Sequence, residues 1–198
     1  IPVMDALAGM GQMGMVQNVP EGMSPGSDVA NLSVMGYDPL ESYSGRSPLE
    51  ALSIGIDMES DDIVFRCNVV TLSEEEPYGE KTIIDHSSSE ISTEDAAVLI
   101  EAVRKELEND IYKFYVGTSY RHLTIWDDGS VVPLTPPHDI LGKVIGEYLP
   151  KEEALYEMMK KSYDILNNHP LNVARAEKGL NKANSLWFWG AGTKPCLT

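Results

Sequence analysis

Apolar and polar positions alternate along the chain in two rhythms, short β-like runs and helical stripes. Residues 2–9 read as the end of a helix closed by Gly9, Gly11 and Gly14, and residues 15–19 as a short strand. A Pro/Gly-rich loop over 20–27 leads into a short helix over 28–35, stopped by Gly36. Ser47-Pro48-Leu49-Glu50 combines a capping serine, proline at the first helical position and glutamate at the third, so a helix is predicted to about Ile54. DIVFRCNVVTL, 62–72, is β-branched and aromatic and predicts a buried strand. An acidic, solvated turn over Glu74–Glu80 precedes KTIIDHSSSE, a second strand and loop. Ala96, Leu99, Ile100, Val103 and Leu107 mark the buried stripe of a helix over 92–110. Two strand-like runs follow, 111–116 and 119–126. Helices over 151–167 and 171–180 are separated by His169-Pro170, and a last strand, 185–192, runs into a glycine turn. Alternating strands and helices predict an α/β or α+β fold with a mixed sheet and flanking helices.

Linker-like composition appears twice, at YDPLESYSGR and at GAGTKP. Breaks at both ends of one block are the pattern of a domain inserted into another. The expected division is 1–46, then an inserted domain over 47–186, then 187–198 returning to the first domain. Composition narrows the class of function. Net charge is −16, so the chain repels phosphate backbones and nucleic acid is not an expected partner. No apolar run approaches a membrane span. Cys67 and Cys196 sit in no metal or redox spacing, which points to a reducing cytoplasm. In so acidic a chain the five arginines are informative, since a bidentate fork is the usual holder of phosphate or carboxylate.

Ser27 stands where the 20–27 loop tips into a helix. Locally it reads as an N-cap, with Asp28 suited to the positive helix end. The same place offers free backbone N–H groups to a phosphate. As a nucleophile Ser27 needs an activator, and the first histidine in the chain is His86. A metal is the alternative activator, but residues 1–60 hold no compact Asp/His cluster.

EGMSPGSDVANLSVMGYDP, YSGRSPLEA, FRCNVVT, YRHL, TPPHDILGK and LWFWGAGTKP occur in this order. Together they resemble the archaeal-type, cofactor-independent phosphoglycerate mutases of the alkaline phosphatase superfamily, over essentially the whole chain. The resemblance implies a phosphatase-like α/β domain interrupted by a phosphotransferase domain that carries the substrate clamps. It implies that Ser27 takes the phosphoryl group from one phosphoglycerate isomer, as nucleophile and metal ligand, before the glycerate takes it back at its other hydroxyl. It also implies two divalent metals, manganese or magnesium. The family's Asp-Gly-Met turn and its later aspartate and histidine ligands have no counterpart in this sequence. The chain therefore reads as an internal fragment, with the other ligands outside it, no metal bound by itself and no turnover alone. DHSSSEI departs from the family's pattern, so no role passes to His86.

Substrate-binding candidates are Arg46, Arg66, Asn68, Arg121, His122, His138, Asp139 and Lys194. Arg46 is either a solvated loop residue or an anion contact at the domain crossing. Arg66 lies inside a buried strand and needs a partner or a ligand. Asn68 shares its parity, so both can face one site. Arg121 and His122 are neighbours and must point to opposite faces. Arg121 is the candidate phosphate or carboxylate contact, and His122 is a satisfied strand histidine unless the family motif applies. His138 is placed to orient a substrate oxygen, and Asp139 is that or a helix cap. Lys194 is a solvated lysine or the family's basic residue. Arg104 and Arg175 read as surface ion pairs, and Met4, Met10, Met13 and Met15 as core packing. The expected ligand is a small phosphorylated hydroxy acid. A homoserine kinase-like phosphotransferase and a non-catalytic binding module are the alternatives.

Overall fold

A computed structural model describes residues 1–12 and 14–197. The chain packs as two units, residues 1–43 with the last residues from Cys196, and Ser44–Pro195.

The first unit holds three helices, α1 (Pro2–Met10), α2 (Ser27–Val34) and α3 (Pro39–Ser42). Val29 and Leu32 of α2 are buried, whereas α1 buries nothing. Met4, Met10 and Met15 are exposed, contrary to the expected core packing, and Met13 lies outside the described residues. Residues 15–19 form no strand, since no neighbouring strand supplies their hydrogen bonds among the described residues.

The second unit is built on a five-stranded sheet. It contains α4 (Arg46–Ser53), β1 (Ile63–Leu72), β2 (Ile83–Asp85), α5 (Thr93–Leu107), β3 (Tyr112–Thr118), β4 (Arg121–Trp126), α6 (Glu153–Leu166), α7 (Pro170–Glu177) and β5 (Ser185–Thr193). β1 pairs with β4 and with β5 over the same residues, so it is central. β3 lies outside β4, and β2 pairs only with Thr71 and Leu72 of β1. The α+β class is as expected, but every strand pairing is antiparallel rather than mixed. β3 and β4 form a hairpin, and no helix returns the chain parallel to a neighbouring strand.

Side-chain parity along β1 separates the two faces. Phe65, Cys67 and Val69 join a large core with Leu99, Ile100 and Val103 of α5 and Leu155 and Met159 of α6. Each fully buried Leu or Ile there contributes about 2 kcal/mol. The α5 stripe is the expected one, and Ser92 caps it by accepting the Asp95 N–H at 3.1 Å. Val64, with Leu123 and Ile125 of β4, packs on the other face against Ala51 of α4 and Met58.

The two ends of this unit meet. Ser44 Oγ donates to Thr193 O at 2.6 Å, and Ser47 Oγ donates to Gly190 O at 2.5 Å. Gly192 is required for that approach, because a Cβ there would stand 2.3 Å from Ser44 O. The Ser47-based capping box is not formed. Gly45 is the N-cap of α4, the Ser47 hydroxyl is spent on β5, and Glu50 turns toward the sheet. No helix among the described residues is long and apolar enough to cross a membrane.

Candidate functional site

Arg66 is the centre of the site. It sits on the α4 side of β1 and is buried. A guanidinium removed from water must be paired and hydrogen-bonded. Glu50 supplies the partner. Arg66 Nε donates to Glu50 Oε2 at 2.7 Å, and Arg66 Nη2 donates to Oε1 in a bidentate fork. The guanidinium also lies over the Trp189 ring, 4.6 Å from its centroid. Trp189 Nε1 donates to Asn68 Oδ1 at 3.1 Å, which fixes the indole and satisfies the buried amide oxygen.

A cavity of about 190 Å³ opens beside this fork, lined by Glu50, Arg66, Gly117, Thr118, Arg121 and His122 among others. It is smaller than sites for drug-sized ligands, roughly 300–1,000 Å³, and suits a ligand of few atoms. Arg121 is the register partner of Asn68 and so shares the face of Arg66. Its guanidinium lies 5.4 Å from the Tyr120 ring centroid, and it has no carboxylate partner among the described residues. Arg46 opens α4, half exposed, and donates to the same Glu50 at 3.3 Å.

A line of rings extends the site along β5. His138 lies in a 3-10 turn, Pro137–Ile140, with its ring centroid 5.3 Å from Trp189 and 6.2 Å from His86. His86 in turn meets Tyr120 edge-on at 5.6 Å. Trp187 Nε1 donates to Thr135 O at 2.8 Å, which ties the loop carrying His138 to the sheet. Asp139 is exposed and faces His138 Nε2 at 3.6 Å. It is not the cap of that turn, where Pro136 stands. Lys194 donates to Met58 O at 2.7 Å and anchors the chain after β5.

His122 faces the other way, as adjacent parity requires, beside Cys67. A bulge between Tyr115 and Thr118 breaks the β3–β4 ladder, and the Gly117 N–H donates to His122 Nδ1 at 3.1 Å. Nδ1 is therefore unprotonated. Burial lowers the His122 pKa to about 4, so the ring is neutral at pH 7. Burial also pushes the Cys67 thiol up to about 12, so it is no nucleophile. Because folding depresses the His122 pKa, the unfolded chain binds the extra proton between pH 6.5 and 4. Stability is full above pH 6.5 and is expected to fall by about 3 kcal/mol as the pH drops to 4. Urea unfolding across that window should lose most of this slope in His122→Asn, whose amide oxygen can replace Nδ1.

The turn before α5 positions His86. Ser88, Ser89 and Glu90 all have left-handed backbones, with φ of 51°, 58° and 48°. Each such residue costs about 1 kcal/mol, so the turn needs external support. Burial would raise the Asp85 pKa, but the Ser87 and Ser89 N–H groups, the Asn181 amide and the Ser87 hydroxyl outweigh it and hold the carboxylate at about 2. Arg175, expected as a surface ion pair, is buried and donates to Ser88 O at 2.6 Å. Arg104 does form surface pairs, with Glu101 and Glu108.

Within the first unit, Ser27 is exposed at the first position of α2. It is not the N-cap. Gly26 holds that place, with an extended backbone and no side-chain bond. Asp28 accepts the Tyr43 hydroxyl at 2.8 Å and folds back over Gly26, where a Cβ would stand 2.3 Å from Oδ1. Among the described residues no group of three or more His, Cys, Asp or Glu could hold a metal. The donors among the described residues do not by themselves fit a two-metal site.

Glu50, Trp189, Tyr120 and His86 belong to the assembled site although sequence reasoning passes over them. For Glu50 the available signal is its i,i+4 spacing from Arg46. For Trp189 it is parity within β5, and for His86 and Tyr120 there is none.

Comparison with known proteins agrees with the motif reading. Residues 8–172 match the family model described as 2,3-bisphosphoglycerate-independent phosphoglycerate mutase. A protein of that name from Methanosarcina barkeri is 48% identical over the whole of this chain, which covers 49% of that relative. A probable 2,3-bisphosphoglycerate-independent phosphoglycerate mutase from Geobacter sulfurreducens is 48% identical over 98% of this chain and 49% of its own length. The chain thus spans about half the length of these relatives. Among solved structures, the PH0037 protein from Pyrococcus horikoshii superposes with a TM-score of 0.68 at 30% identity, over 99% of this chain and 45% of that one. Cofactor-independent phosphoglycerate mutase from Thermoplasma acidophilum has the same fold, with a TM-score of 0.62 at 24% identity over 84% of this chain and 47% of that one. The chain belongs to the family of 2,3-bisphosphoglycerate-independent phosphoglycerate mutases.

Proposed function

We propose that the whole protein is a cytoplasmic isomerase that interconverts 3-phosphoglycerate and 2-phosphoglycerate through a phosphoserine at Ser27. Residues 1–43 are the piece of a phosphatase-like domain that carries the nucleophile, and Ser44–Pro195 is an inserted phosphotransferase domain. The adjacent ends of the second unit, joined by the Ser44 to Thr193 hydrogen bond, support the insertion.

The observation that carries the reading is the convergence of Arg66 and Arg121 on one small cavity in a chain of net charge −16. Such a cavity suits a ligand with two anionic groups. The Ser27 oxygen gives up its proton as it attacks phosphorus, the P–O bond to the glycerate oxygen breaks, and that oxygen takes up a proton in exchange. The glycerate then presents its other hydroxyl, whose oxygen loses its proton and attacks the phosphoserine, and the released Ser27 oxygen is reprotonated. Arg66, Arg121 and Arg46 hold the phosphate and carboxylate between the two transfers. Asn68 orients this clamp through Trp189, and His138 lies next to a substrate oxygen, steadied by Asp139. His122 and Lys194 shape the site from behind, through the Gly117 bulge and the Met58 loop. Two divalent ions, manganese or magnesium, would lower the Ser27 pKa and offset phosphoryl charge. Their ligands other than Ser27 belong to the part of the protein beyond this chain.

The test assays the full-length protein with 3-phosphoglycerate and, separately, with homoserine plus ATP. Turnover of the phosphoglycerate alone is expected. Phosphorylation of homoserine instead would overturn the acceptor assignment. Absence of both reactions would leave a binding module.

A further inference from the structure

The Arg66 fork is filled by a side chain, the Glu50 carboxylate. Glu50 meets Arg66 with both oxygens, as a substrate carboxylate or phosphate would. We propose that Glu50 is a resident anion that occupies the Arg66 fork until a small anionic ligand in the adjoining cavity displaces it, so that Glu50 sets the affinity of the site. The proposal rests on the phosphoglycerate reading only for the identity of that ligand.

Three features make Glu50 the partner that moves. Arg66 is fixed by its own surroundings, with a side chain 7% exposed and stacked on Trp189. Glu50 is 31% exposed and lines the cavity, so its carboxylate can reach water. It also has a second partner, because Arg46 one helical turn away already donates to the same Oε1. A displaced carboxylate thus keeps the Arg46 Nε contact, which leaves the Arg46 Nη groups for the ligand, and the buried Arg66 exchanges one anion for another without being left unpaired. Arg121 on the cavity wall has no carboxylate partner among the described residues, and it provides the charge that draws the ligand in. Apparent affinity equals intrinsic affinity multiplied by the fraction of molecules with a free fork. A fork free in roughly one molecule in ten weakens binding about tenfold.

Two variants separate this role from that of a buttress. Glu50→Gln keeps the shape and removes the charge. Glu50→Asp keeps the charge and withdraws the carboxylate by one methylene. Calorimetric titration of the 198-residue chain with 3-phosphoglycerate and with orthophosphate should show both variants binding about tenfold more tightly than the original. Thermal melts of the same samples identify any loss of fold, and the second variant serves if the first unfolds. Equal or weaker binding by both variants, with the original binding 3-phosphoglycerate, overturns the proposal and leaves the functional reading in place. Tightening by Glu50→Gln alone also overturns it, because long-range charge then accounts for the gain. If orthophosphate binds more tightly to both variants but phosphoglycerate binds none of the chains, the resident anion stands and the assignment of this cavity to phosphoglycerate falls. No binding of either anion to any chain sinks both.

Discussion

Ser27→Ala is expected to reduce mutase turnover of the full-length protein by on the order of 10⁴-fold or more while leaving its melting temperature unchanged. The first half follows from the proposed role of Ser27, whose oxygen would carry the phosphoryl group. The second half follows from the structure. A capping serine replaced by alanine costs about 1 kcal/mol, but Gly26 is the cap and the Ser27 side chain is exposed. Alanine at the first helical position should therefore be tolerated within about 0.5 kcal/mol. Turnover assays and thermal melts on the same preparation check both. A variant with more than a few per cent of original turnover would remove Ser27 from the mechanism, and a drop in melting temperature with turnover intact would return it to a structural role.

Arg66→Lys should have the next largest effect. Lysine keeps the charge but cannot present two parallel N–H groups, nor lay a flat cation over Trp189. Loss of a bidentate, charge-assisted contact is expected to lower kcat/KM of the full-length protein by about 100-fold, mostly through KM. Stability should fall by about 1–2 kcal/mol, because Glu50 keeps only a single-point partner there. Steady-state kinetics with urea unfolding separates the two contributions. An unchanged kcat/KM accompanied by lost stability would make the Arg66 to Glu50 pair architectural.

Much of this site is legible in the amino-acid sequence, and the reason is periodicity. β1 announces itself by its β-branched and aromatic run, and strand parity alone puts Arg66 and Asn68 on one face. The same rule separates Arg121 from His122. What escapes is anything decided by a distant partner. Glu50 has the spacing of a capping box, but a buried arginine 16 residues away binds it more strongly than the helix N–H groups do. Arg175 has the look of a solvated helix charge, and its partner Ser88 is 87 residues away. The left-handed turn at Ser88–Glu90 carries no glycine, so no local signal marks it, and its support comes from Asp85, Asn181 and Arg175. Residues 15–19 have strand-like composition but find no neighbouring strand among the described residues. Pairing is a property of two segments and is invisible in one.

The hydrogen bond between Ser44 and Thr193 has a consequence for manipulation of the protein. A unit whose first residue touches one close to its end encloses its own loop, so joining or severing the chain there changes little closure entropy. Residues 44–195 should accept excision as an autonomous piece, or transplantation into another host at a surface turn.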